Sequence, residues 1–217
     1  MIHTRNKYLQ FLLVLMSAWA IIWGTLFVMG QAVLLYGEGQ HAMFASHGVV
    51  FIYLLPVFFV YRRWVAPLPV VGQLHNVGAL WLVGAMAVLY IAEYIWGKTT
   101  GQPTETFVTT LYDSKTLAGI VTTTLTIFVL APLNEETLFR GFMTNVFHSR
   151  QRWTLWLGAV FTSLLFAVVH SQYQNLSTLV EMFLVGIITS IARMRSGGLL
   201  LSVLLHMEAT GLGLLLG

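Results

Sequence analysis

Residues 117–147 read LAGIVTTTLTIFVLAPLNEETLFRGFMTNVF, and how this stretch is read decides the fold. From Leu117 to Leu133 there is no charged side chain, and Phe142 to Phe147 is again mostly apolar. A run of this length is long enough to cross a bilayer as a helix. Between the two apolar parts lie Asn134, Glu135 and Glu136 and, one turn on, Arg140. A charge at the bilayer centre costs about 2.5–3.5 kcal/mol even on lenient insertion scales, so such residues face a protein interior or a wet cavity. Glu136 and Arg140, four apart, can pair on one helix face. That pairing accounts for two of the charges and leaves Glu135 without a partner, which makes Glu135 a candidate for chemistry.

Composition carries the same message outward. Of the 217 residues, 57% are hydrophobic and only 9% are charged, against roughly 25% charged in a soluble domain. The mean hydropathy is +0.78. This is the composition of an integral membrane protein. The absence of cysteine excludes disulfides, thiolate chemistry and cysteine metal ligands. The net charge of +3 comes from scattered basic pairs, with no patch that would follow a phosphate backbone, so nucleic acid is not an expected partner. Membrane lipid and a peptide or membrane-protein substrate are.

Hydropathy places about seven spans: Leu9–Leu35, Phe44–Tyr61, Val77–Trp96, Leu117–Phe147, Trp153–His170, Leu176–Ala192 and Leu199–Leu216. Met1 to Gln10, with Arg5 and Lys7, looks superficially like the start of a signal peptide. The apolar run behind it is too long for an h-region and reads as the first permanent span. The runs are also too long for barrel strands, so the expected fold is all-α, a polytopic transmembrane helix bundle. One integral membrane domain covers residues 1–217. Arg5 and Lys7, Arg62 and Arg63, Arg150 and Arg152, and Arg193 and Arg195 all fall on one side of a seven-span chain. The positive-inside rule puts that side, and the N-terminus, in the cytoplasm. A multi-pass protein of a bacterial cytoplasmic membrane is expected. Pro132 removes a helix hydrogen bond and predicts a bend just before the glutamates, and Pro103 predicts the start of a short interfacial helix within 104–111.

Other polar side chains lie in the later spans. Phe166 and His170 share a face at i,i+4 spacing, as do His206 and Thr210. Phe166 reads as core packing around His170. Glu93 and Glu181, near the ends of their spans, read as reaching an interface or a polar partner. Three helices thus offer a carboxylate pair, one imidazole, and one imidazole with a hydroxyl. A bundle can gather these in one pocket. Such a set supports water activation by a buried carboxylate, with imidazoles to hold the water, pass a proton and stabilise an oxyanion. One glutamate and two histidines also match a catalytic zinc site with an open position. Buried carboxylates and histidines serve proton relays in transporters as well, although no inverted repeat is seen here.

Glu135-Glu136-Thr137-Leu138-Phe139-Arg140 resembles the EExxxR motif of the CAAX protease and bacteriocin-processing family, the Abi or CPBP intramembrane endopeptidases. Phe166 to His170 resembles its FxxxH motif, and His206 to Thr210 its HxxxN motif, in the same order over residues 117–216. The resemblance implies catalytic roles for Glu135, Glu136, Arg140, His170, His206 and Thr210. Glu135 would be the general base, paired with His170, while Glu136 and Arg140 would support the site. His206 and the residue at 210 would form the oxyanion hole. It implies a glutamate-dependent peptidase with no metal and no other cofactor. From the Glu, His, His set across three helices, the site is expected to open toward the cytoplasmic leaflet. Eukaryotic members trim prenylated CAAX proteins, and many bacterial members act in bacteriocin immunity, peptide maturation or regulation of membrane partners. Thr210 departs from the family's asparagine. A hydroxyl is shorter than a carboxamide and has a single donor, so a weak or inactive member acting as a membrane binding or immunity protein is the alternative.

Overall fold

The computed structural model describes residues 6–37, 39–75, 77–148 and 151–216; Arg5 and Arg150 of the basic pairs lie outside them, as does the side chain of Arg152. The described residues form helices and connections, with no strand. In order they are α1 (Lys7–Tyr36), α2 (Gln40–Trp64), α3 (Ala79–Thr100), a short α4 (Thr106–Thr110), α5 (Leu117–Val146), α6 (Arg152–Val169), α7 (Leu176–Ser196) and α8 (Leu200–Leu216). Among the described residues, α1, α2, α3, α5 and α7 are long and apolar enough to cross a membrane. The expected fifth and seventh spans are present as the apolar helices α6 and α8, but they are shorter. At 18 and 17 residues and about 1.5 Å per residue, each falls a little short of the roughly 30 Å hydrocarbon layer. The bundle wears its apolar side chains outward. Leu80 and Trp81 are more than 80% exposed, and Trp19, Trp23 and Phe27 line the outer face of α1. An apolar belt of this extent is a surface made for lipid.

Packing inside the bundle is governed by small residues. Gly186 of α7 lies so close to Ser163 of α6 that a Cβ would come within 2.7 Å of the serine side chain. That close approach is how small residues bring transmembrane helices together. The α2–α3 connection pairs by backbone with the α7–α8 turn: Leu200 N donates to Val70 O at 2.8 Å and Gln73 N to Ser196 O at 2.7 Å. Gly72, at φ +67°, crosses Gly198 there, with no room for a side chain on either. Beside this crossing, Tyr61, Leu68, Phe142 and Leu199 form a buried apolar plug. It closes the end of the bundle that carries Arg62 and Arg63 at the end of α2 and Arg193 and Arg195 at the end of α7.

The departure from regularity in α5 is wider than a proline bend. Pro132 opens the α-helical turn Ala131–Glu136, which is flanked by π-helical stretches at Thr126–Leu130 and Thr137–Met143. A π turn displaces carbonyls from the helical ladder and re-aims the side chains around it. Side chains add donors to this stretch: Thr144 Oγ1 donates to Phe139 O at 2.8 Å, and Arg193 Nε of α7 donates to Arg140 O at 3.1 Å. The short helix α4 begins after Glu105, two residues later than Pro103 alone predicts.

Candidate active site

Glu135 sits on the α-helical turn between the two π stretches, on the floor of a cavity of about 260 Å³. Its Oε2 lies 3.7 Å from His170 Nε2 and 3.9 Å from His206 Nε2. Both imidazoles therefore point at one carboxylate oxygen, which has no hydrogen-bond partner among the described residues. The gaps are too long for direct hydrogen bonds and leave Glu135 and the two rings free to share a third group.

Each ring is held by its other nitrogen. His170 caps the end of α6, and its Nδ1 lies 2.6 Å from Phe166 O. A carbonyl only accepts, so Nδ1 carries the proton, and a neutral His170 presents its Nε2 lone pair toward Glu135. His206 Nδ1 lies 2.9 Å from Glu136 Oε1. The same oxygen pairs with Arg140 NH1 at 3.3 Å, and both Glu136 and Arg140 are wholly buried. The chain Arg140–Glu136–His206 fixes the ring and places a negative charge behind it, where an imidazolium would be stabilised. The Arg140 guanidinium lies 4.6 Å over the Phe166 ring, which also touches His170 and His206. Phe166 is 1% exposed, a packing residue that spaces the two histidines.

Thr210 lines the cavity, but its hydroxyl is already engaged. It donates to His206 O at 3.1 Å, with Ile127 O at 3.5 Å on its other side. The structure thus brings Glu135, Glu136, Arg140, His170 and His206 together, and puts Thr210 beside them with its proton turned to the backbone.

Two contributors were not singled out from sequence. His47 on α2 lines the same cavity, and its carbonyl accepts from Asn134 Nδ2 at 2.8 Å, which ties α2 to the glutamate turn. An imidazole inside an apolar span was the available signal, the same one that marks His170 and His206. Glu105 is the other. It is buried, and its carboxylate accepts from Gln174 N at 2.9 Å and Asn175 N at 3.0 Å. It holds the 171–175 turn that leads into α7, whose Tyr173 ring stacks parallel to His170 at 6.1 Å. Burial pushes the Tyr173 hydroxyl above its ordinary value, so it stays a donor.

The expected opening toward the arginine-rich side is not found. Lys98, Gln102, Pro103, Glu105, Gln172, Tyr173 and Asn175 rim the cavity, all from the opposite end of the bundle. The Tyr61–Phe142 plug blocks the arginine end. Glu93 and Glu181, read from sequence as span-end residues, both line the cavity, and Glu181 is buried. Among the described residues, no group of three or more histidine or acidic side chains is arranged to hold a metal ion, so the zinc alternative draws no support from the geometry.

The family model for type II CAAX prenyl endopeptidase Rce1-like proteins matches residues 117–211, a span that holds Glu135, Glu136, Arg140, His170, His206 and Thr210. The chain is also 66% identical, over the full length of both, to an uncharacterized 24.3 kDa protein of Escherichia coli. No solved structure matches it. The family-model match shows that the chain carries, over residues 117–211, a domain of the family described as type II CAAX prenyl endopeptidase Rce1-like.

Proposed function

We propose that the protein is an intramembrane endopeptidase that hydrolyses a peptide bond with a water activated by Glu135 and His170. The observation that carries this reading is the convergence of His170 Nε2 and His206 Nε2 within 4 Å of Glu135 Oε2 at the floor of a cavity. Glu135 takes one proton from the water, while His170, with Nδ1 tied to Phe166 O, accepts a hydrogen bond at Nε2 from the O–H that remains. The oxygen attacks the peptide carbonyl carbon, and the carbonyl electrons move onto oxygen. His206, held by Nδ1 against Glu136, is the group that faces that oxyanion and donates to it from Nε2. As the tetrahedral intermediate collapses, the C–N bond breaks and the leaving nitrogen takes the proton held by Glu135. The O–H proton of the new carboxylic acid passes by way of His170 Nε2 to the departing amine, so the products are a carboxylate and an ammonium group. Neither a covalent enzyme intermediate nor a metal takes part. Residues 117–216 form the catalytic core of a single domain.

The topology is part of the proposal. Seven spans with the N-terminus and arginine pairs in the cytoplasm of a bacterial inner membrane place the cavity mouth on the non-cytoplasmic side. The substrate is then a peptide or membrane protein presented from that leaflet. Because the chain has no cysteine, a single Gln172→Cys variant reports this directly. Labelling of intact cells by an impermeant thiol reagent is expected, and labelling only after lysis overturns the orientation.

Purified wild-type protein in lipid should cleave a substrate that Glu135→Ala protein leaves intact. Cleavage at the wild-type rate by Glu135→Ala overturns the peptidase. A second reading, a catalytically silent membrane binding or immunity protein, is favoured by the engagement of the Thr210 hydroxyl with the backbone. In that case the cellular phenotype survives Glu135→Ala.

A further inference from the structure

The cavity holds a second acidic pair that the proposed hydrolysis does not use. Glu93 on α3 and Glu181 on α7 both line it, together with Glu135 and the two histidines. Ser177 lies one turn before Glu181 on the same face of α7, and its Oγ is 2.8 Å from Glu93 Oε1. Gln102 Nε2 donates to the same oxygen at 3.2 Å. The single proton of Ser177 is shared between Glu93 and Gln102 Oε1, 2.7 Å away, so Glu93 sits in a network of both neighbours. Glu181 is not so held: it is 5% exposed, and its Oε1 is fully shielded with no hydrogen-bond partner among the described residues. Neither carboxylate has an ion pair among the described residues, the ion pairs being confined to Glu135, Glu136, Arg140 and the histidines. The cavity's own cation, Lys98, is exposed, with its Nζ 5.3 Å over the Tyr94 ring.

A buried carboxyl without a partner is costly, and an arriving cation with hydrogens to donate removes that cost. We infer that Glu181 and Glu93 form a cation-accepting subsite, which selects a peptide carrying a lysine or arginine side chain near the bond to be cut. The inference rests on the peptidase reading for its biological use but not for its binding. Glu181 supplies the unsatisfied oxygen, and Glu93 adds charge on the facing helix. Ser177 and Gln102 keep Glu93 from turning away. The apolar remainder of the cavity wall, including Met182, Val185 and Leu214, suits the methylene stem of such a side chain.

The test reads binding without turnover, using full-length Glu135→Ala protein in lipid nanodiscs. The probes are short fluorescent apolar peptides in which a single lysine, or norleucine in its place, is moved through successive positions. At one register the lysine peptide should bind roughly tenfold or more tightly than its norleucine twin. Adding Glu181→Gln should bring the ratio close to one, and adding Glu93→Gln should lower it, which keeps the test open if one variant fails to fold. Equal binding of the twins at every register overturns the subsite, as does a lysine preference that survives both substitutions. Cleavage of the same peptides by protein with Glu135 intact separates the two readings. A lysine preference in binding with no cleavage supports the subsite and refutes the peptidase. Cleavage without charge preference refutes the subsite alone.

Discussion

Replacing Glu136 by glutamine changes one atom and removes one charge from a place that water does not reach. Glu136 and Arg140 are both wholly buried, 3.3 Å apart, and Glu136 Oε1 also holds His206 Nδ1 at 2.9 Å. Without the carboxylate, the guanidinium is a buried charge whose nearest counter-charge is gone. Breaking such a pair from one side costs about 3–5 kcal/mol. The catalytic loss is separate: a His206 imidazolium with no anion behind it is a weaker oxyanion donor, and loss of one such donor costs roughly 10²–10³ in rate. The double variant Glu136→Met, Arg140→Met separates these effects, because replacing both partners with apolar groups of similar size is often close to neutral. Unfolding in nanodiscs, followed by tryptophan fluorescence, should show a large loss for Glu136→Gln and recovery of most of it in the double variant. Peptide cleavage should stay low in both. Wild-type stability in Glu136→Gln, or near-wild-type cleavage by the double variant, would refute the assignment of Glu136 as the link between Arg140 and His206.

Thr210→Asn should raise cleavage by roughly tenfold or more, since a carboxamide brings a donor that the backbone-engaged hydroxyl does not supply; a fall in rate measured on the same peptide counts against an oxyanion role for this position. Gly72→Ala should destabilise the fold by about 1–3 kcal/mol or more, because the residue sits at φ +67° and a Cβ would come within 2.5 Å of Gly198 N. Chemical unfolding of the purified variant checks it. Glu105→Ala removes both acceptors of the 174–175 amides, at a cost of about 1–3 kcal/mol. By loosening Tyr173 over His170 it should raise KM more than it lowers kcat.

The helix bundle was legible because lipid leaves so few options. Long apolar runs, flanked on one side of the bundle by basic pairs, located all seven apolar helices to within a few residues. Two of them proved shorter than a span, since hydropathy senses composition and not where a helix stops: α6 ends where His170 turns out of helical geometry. The candidate site was legible where charge or imidazole broke an apolar pattern, as at Glu135, Arg140, His170 and His206. His47 gave the same signal but stood apart from any motif, and its tie to Asn134 spans too much sequence for local pattern to show. The π turns of α5 had no sequence mark beyond Pro132; the contacts that accompany them, such as Arg193 Nε to Arg140 O, come from residues distant in sequence. The direction of the cavity was misread for a related reason. Position along α5 places Glu135 nearer the arginine end, but access depends on which end is packed shut. Tyr61, Leu68, Phe142 and Leu199 come from four separate stretches of chain to close that end.

The central claim is that Glu135 activates water directly for attack on a peptide bond. It is tested most closely by single-turnover cleavage in heavy-oxygen water, comparing wild-type protein with Glu135→Gln and adding hydroxylamine as a trap. Wild-type protein should place one heavy oxygen in the new carboxylate and yield no hydroxamate. Glu135→Gln should be slower by roughly 10²–10⁴. A trapped hydroxamate, or unimpaired cleavage by Glu135→Gln, contradicts it.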